Sequence, residues 1–211
     1  MDKITVADIL KLNPCDTYGE KALVDLIGEG VPVKREAALS LKIPPGDKVW
    51  ALLRLPLLSK EERLYLGCDF AEHVLPIFET KYPEDARPRQ AIEAKRKWLI
   101  GEISLEGLKK HQCAAQCAAA DSYYASAPAS AAPAYAAYAS ASASVYASAV
   151  YASAAYASAY ASVYAAYAYA AYAYASASAS AYAYASAGEK EDEWQLNKIF
   201  DVLEKKGKGR K

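Results

Sequence analysis

Between residues 122 and 188 the chain carries no charged side chain, although the whole sequence holds 25 Lys and Arg and 25 Asp and Glu. The 67 residues from Asp121 to Ala187 comprise 32 Ala, 15 Tyr, 14 Ser, 3 Val, 2 Pro and one Asp. This tract divides the chain into an N-terminal helical domain over 1–121, an Ala/Tyr/Ser-rich tract over 122–188, and a C-terminal helix with a basic tail over 189–211. Strict alternation of Ala with Tyr or Ser from Ala171 to Ala187 is the pattern of a silk-like strand with one methyl face. A strand needs a constant phase, however, and the phase slips at Ala136-Ala137, Ala154-Ala155, Ala165-Ala166 and Ala170-Ala171. Each slip would throw the small residues onto the other face.

The helical period fits better. Placed on a wheel at about 100° per residue, eleven of the sixteen Tyr and Val residues between 134 and 187 fall in an arc of about 100°, where chance would put about four or five. They are Tyr135, Tyr138, Val145, Tyr146, Tyr156, Tyr160, Val163, Tyr164, Tyr167, Tyr174 and Tyr182. Several are eleven residues apart, a repeat that keeps a stripe nearly straight along a helix. Alanine also has the highest helix propensity. A single helix over the tract would be about 80 Å long, so it projects or bends, with Ser140 to Ser144 and Ser176 to Ser180 the expected breaks.

The first 120 residues read as a series of helices punctuated by Gly and Pro. Thr5 can cap a first turn, and segments over Asp16 to Ile27, Lys34 to Leu41 and Asp47 to Leu55 follow. Ser59-Lys60-Glu61-Glu62 has the form of a capping box, so a helix is expected from Ser59 onward, kinked or ended at Pro76. Arg89 to Ile100 forms the next helix, and Ser104 caps another that runs toward Pro128. After the tract, Gly188 is a plausible stop, and a helix from about Glu191 to Leu203 presents Trp194, Ile199, Phe200 and Leu203. The fold class predicted is all-α: a helical bundle with the tract packed against the N-terminal helices.

Several groups could carry chemistry, and each has a plainer structural reading. His111, Cys113 and Cys117 could offer soft ligands on one helix, but a zinc site needs four and no second pair is present; buried structural thiols are expected, and no metal or cofactor. Asp69 and His73 lie four apart on a helix and can hydrogen-bond. Without a nucleophile motif or a phosphate loop beside them, no catalytic residue is assigned and the protein is read as not an enzyme. Arg87 and Arg89, with Lys95, Arg96 and Lys97, could form a cationic patch able to fork onto phosphates or carboxylates. Tyr156, Tyr160, Tyr164 and Tyr167 could form a recognition surface, since Tyr offers stiff contact area with a polar tip. Arg87, Arg89, Arg96 and these four tyrosines are therefore the candidate partner- or ligand-binding residues.

A formal net charge of zero argues against a general nucleic-acid or membrane-surface binder. The tract's Ser and Tyr content and its lack of Leu, Ile and Phe argue against a membrane span. Four cysteines at unmatched spacings, with no N-terminal apolar segment, favour a reduced, cytoplasmic setting.

Particular runs of residues resemble a known family. Trp50-Ala51-Leu52-Leu53-Arg54, Cys68-Asp69-Phe70-Ala71-Glu72-His73 with Leu75-Pro76, and Arg87 through Leu99 with Gly101-Glu102-Ile103-Ser104 are similar to the Ala-repeat "putative immunity protein" family of bacteria and their phages. The order of parts matches too, including a closing helix that begins much like Glu193-Trp194-Gln195-Leu196. The family's repeat mixes Asp, Arg and Trp among its alanines, where this chain has Ser and Tyr. The resemblance implies a helical, non-catalytic protein named by analogy with proteins that neutralise polymorphic toxins.

Three functions follow as expectations. The first is an immunity or counter-defence protein that blocks a toxin or defence effector by direct contact. The second is a phage-type sponge that sequesters a nucleotide signal, with phosphates on Arg or Lys and bases stacked on Tyr. The third is a structural, self-assembling Ala-rich protein. An uncharged seam also makes a homo-oligomer plausible.

Overall fold

Two capping boxes fix where the first part of the chain turns into helix. In the computed structural model, which describes residues 2–124, Ala137 and residues 181–208, Thr5 opens helix α1 (Val6–Leu10), its hydroxyl oxygen accepting from the Asp8 N–H while the Asp8 carboxylate accepts from the Thr5 N–H. Ser59 does the same with Glu62 at the start of α5 (Lys60–Lys81). Between them lie a 3-10 turn (Asp16–Tyr18), α2 (Glu20–Ile27), α3 (Arg35–Ser40) and α4 (Pro45–Arg54). Two short strands, β1 (Lys3–Ile4) and β2 (Val31–Pro32), pair antiparallel with Ile4 opposite Val31. No sequence pattern announces them, because two residues are too few for a period. Gly30 enters β2 at a φ of 118°, and a Cβ there would lie 2.5 Å from the Ile4 carbonyl oxygen, so only glycine fits.

After α5 come α6 (Arg87–Leu99), α7 (Leu105–Tyr124) and, beyond most of the tract, α8 (Ala181–Lys208). Helix α6 ends in a Schellman motif: the Gly101 N–H donates to Trp98 and the Glu102 N–H to Lys97, with Gly101 at a φ of 79°. Ser104 caps α7 through the Gly107 N–H.

Two possible stops do not end their helices. Pro76 lies inside α5, which runs on to Lys81. A proline inside a helix costs about 3 kcal/mol, and here Val74, Leu75 and Phe78, all buried, hold the flanking turns in the core. Gly188 does not stop the chain either, for α8 passes through it without interruption. A mid-helix glycine costs only about 1 kcal/mol relative to alanine, and the buried Leu196, Ile199 and Phe200 downstream each contribute about 1.5–3 kcal/mol.

Helix α5 buries side chains on two faces, because it lies between two clusters. On one side Leu66 and Phe70 pack with Leu52, Leu53 and Leu55 around α4 and with Leu196, Ile199 and Phe200 of α8. On the other, Cys68, Ala71, Leu75 and Phe78 pack with Ile92 of α6, Ala118 and Ala119 of α7, and Ala137. Ala91 and Ala115 meet where α6 crosses α7, and their small side chains let the two backbones approach. Ala137 is helical and fully buried. Residues 125–136 and 138–180, with all of the Tyr and Val stripe except Tyr182, lie outside the described residues.

The architecture is an all-α helical bundle, as the sequence predicts. Among the described residues no helix is long and apolar enough to cross a membrane.

Candidate functional site

The charged residues of α5 and α6 lock together into a ladder across the two helices. Asp69 and Glu72, three apart, share one face of α5. Arg96 of α6 reaches both: its guanidinium donates to the Glu72 carboxylate at 2.6 and 3.2 Å and to Asp69 Oδ1 at 3.0 Å. Lys198 of α8 approaches the other Asp69 oxygen at 3.3 Å. Two turns toward the start of α6, Arg89 forms a bidentate pair with Glu79 of α5 at 2.5 and 2.7 Å. Arg87 grips Asp85 through two bonds of 2.9 and 2.7 Å and adds Asp121 of α7 at 2.9 Å. The Asp85 hydrogen bond first, then that of Asp121, hold the Arg87 guanidinium above its ordinary pKa. All three arginines remain partly exposed, with 36–43% of their side-chain surface accessible.

The five residues expected to form one cationic patch are thus divided. Arg87, Arg89 and Arg96 lie on the ladder with their charges balanced by carboxylates, and Lys97 is exposed. Lys95 is fully buried and points inward, its Nζ 4.4 Å from the centroid of the Trp98 ring. Burial pushes its ammonium down to about 8. Tyr156, Tyr160, Tyr164 and Tyr167 lie outside the described residues.

Asp69 and His73 do not bond to each other. Asp69 is held by Arg96 and Lys198, while His73 Nδ1 lies 2.8 Å from Glu191 Oε2 of α8. The His73 ring stacks on Trp194, with centroids 3.7 Å apart and planes within 6°. Glu191 has no exposed side-chain surface, and its other oxygen accepts from Gln195 Nε2 at 3.0 Å. The spacing of Asp69 and His73 was legible, but the true partners come from distant helices.

Cys113 and Cys117 are not buried thiols. Both are exposed on α7, as is Cys15, and Cys68 alone among the four lies in the core. Burial pushes the Cys68 thiol up to about 12. Among the described residues no group of His, Cys, Asp and Glu is arranged to hold a metal ion.

Asp192 faces the start of α4, where a Cβ on Gly46 would stand 2.8 Å from its Oδ2. Burial, then the charges of Glu191, Asp47 and Glu189, push its carboxyl up to about 7. The unfolded value is about 3.9. Because the fold binds this proton more tightly than the unfolded chain does, protonated Asp192 favours the folded state. Its contribution is whole below about pH 4 and is lost as the pH rises through about 7. Asp192→Asn is therefore expected to raise the thermal midpoint at about pH 8 and to flatten the decline between about pH 4 and 8. Thermal melts followed by circular dichroism across that range check this; a variant that tracks the parent at every pH excludes the assignment.

The fold and the ladder define an all-α bundle whose charged residues are paired across its helices. The chain belongs to the Imm-5 like putative immunity protein family, whose model matches residues 57–201. No curated protein and no solved structure matches it. The matched span takes in the whole ladder, α7, the tract and most of α8, and leaves out α1 to α4.

Proposed function

We propose that the protein is a non-enzymatic immunity or counter-defence protein that neutralises a toxin or defence effector by direct binding. Membership of the immunity family carries the reading. The contact residues in this reading are Arg87, Arg89 and Arg96 of the exposed ladder together with Tyr156, Tyr160, Tyr164 and Tyr167, which the sequence alone nominates. Half-exposed guanidinium–carboxylate pairs of alternating sign suit a protein partner, because they can exchange carboxylates across an interface and they fix its register. We place its action in the cytoplasm.

The same pairing favours a protein over a nucleotide. A phosphate would have to displace Glu79, Asp85 or the Asp69 and Glu72 pair from guanidinium groups they already hold in two-bond geometry. A sponge would be stabilised by its nucleotide as RT ln(1 + [L]/Kd), so thermal melts against a panel of cyclic nucleotides separate the two readings.

The direct test is copurification from toxin-bearing cells, followed by a growth assay in which the recovered toxin is expressed with and without this protein. Rescue of growth is expected, and Arg89→Glu with Arg96→Glu should abolish it while the circular dichroism spectrum stays helical. Absence of rescue with any recovered toxin overturns the proposal.

A further inference from the structure

A cavity of about 550 Å³ opens between the N-terminal elements and α4, and shares no lining residue with the ladder. Small-molecule sites span roughly 300–1,000 Å³ and are mostly apolar with a few polar groups. The walls here follow that plan. Ile9 of α1, Leu23 and Ile27 of α2, and Val33 line one side, and Trp50 of α4 with Phe200 of α8 line the other. Ile9, Ile27, Val33 and Trp50 are only half-buried where they line this space.

Three charged residues also reach the lining: Asp47, Lys48 and Arg54. Asp47 is already engaged, accepting the Tyr18 hydroxyl at 2.5 Å. Arg54 lies over the Trp50 ring, 4.7 Å from its centroid. Neither Lys48 nor Arg54 has an ion-pair partner among the described residues, so the lining carries one net positive charge. Burial holds the Lys48 ammonium below its ordinary pKa, against a weaker opposing pull from Glu193. An anion placed beside it would relieve that cost.

We infer that the cavity binds an amphipathic small molecule, an alkyl chain ending in a single carboxylate, with the chain along the apolar walls and the carboxylate on Lys48. The charge of the lining selects the head group, and the apolar walls select the tail. Every lining residue except Phe200 precedes residue 57, where the family match begins. The site is thus built from the part of this chain outside the matched region, and it stands or falls separately from toxin binding.

The test is isothermal titration calorimetry of the full-length protein with dodecanoate, dodecanol and dodecyltrimethylammonium, each kept below its micelle concentration. Saturable binding of dodecanoate is expected, with the alcohol and the cation at least ~10-fold weaker, the size of effect one charge-assisted contact gives. Lys48→Met should weaken dodecanoate by ~10-fold and leave dodecanol unchanged. Leu23→Trp, which fills the cavity, should remove binding of both. Were Leu23→Trp to misfold, the head-group series on the unmodified protein and on Lys48→Met still decides the matter. No saturable binding of dodecanoate, equal affinity for all three probes, or an unchanged affinity in a folded Lys48→Met variant would each overturn the inference.

Discussion

Replacing Arg63 with alanine is expected to cost about 3–5 kcal/mol, a large share of the roughly 5–15 kcal/mol that holds a domain together. Arg63 is 1% exposed although it is charged, and it lies among the buried residues of α5. Its guanidinium closes the far end of α4, with Nε donating to the Leu53 carbonyl at 2.7 Å and Nη2 to the Leu55 carbonyl at 2.5 Å. Those carbonyls belong to the last turn of α4 and the residue after it, where a helix leaves acceptors unsatisfied and presents the negative end of its dipole. Alanine would remove the donor, leave both carbonyls buried without it, and open a cavity beneath Leu53, which is itself fully buried. Arg63→Met separates the two effects, because it restores much of the lost volume and none of the hydrogen bonds. The expected order of urea midpoints is parent, then Met, then Ala. A midpoint for the alanine variant within experimental error of the parent would refute this role.

The second large effect is expected at Glu191. Glu191→Ala removes the acceptor of both His73 and Gln195 inside the α5–α8 contact and should cost about 2–4 kcal/mol. Glu191→Gln keeps an acceptor oxygen and should cost about 1 kcal/mol. A spectroscopic readout accompanies the stability loss. Trp194 stacks on the His73 ring that Glu191 orients, so its fluorescence should change in the alanine variant under conditions where the protein is still folded. Unchanged fluorescence together with an unchanged urea midpoint would show that the contact is incidental.

What the sequence revealed was what is encoded within a few residues. The capping box at Ser59 and Glu62 closes as its spacing implies, because both partners lie on one turn. The helix around Arg96 was predicted for the same reason. The sequence also marked Arg87, Arg89 and Arg96 as groups able to fork onto carboxylates, although the carboxylates they hold could not be read from it. Arg96 and Glu72 are 24 residues apart, and His73 and Glu191 are separated by 118. No local period records such pairs. Arg63 went unnoticed because a charged residue near a helix start reads as solvated, and only the packing of α4 against α5 shows where its guanidinium goes. Gly188, and Pro76 as a stop, misled for the complementary reason: their local cost of about 1–3 kcal/mol is real, but core packing on either side exceeds it.

Helix α8 supplies Leu196, Ile199 and Phe200 to a cluster whose other members lie before residue 71. About 100 residues separate the end of α5 from the start of α8, so at roughly 5–20 residues per second a ribosome needs about 5–20 s to reach the missing piece. Throughout that interval Leu66 and Phe70 have no α8 against them, and the nascent chain displays a bare apolar strip to whatever surrounds it. The emerging polypeptide is therefore a natural client for holding chaperones, and the cell's supply of finished protein depends on how well that interval is guarded.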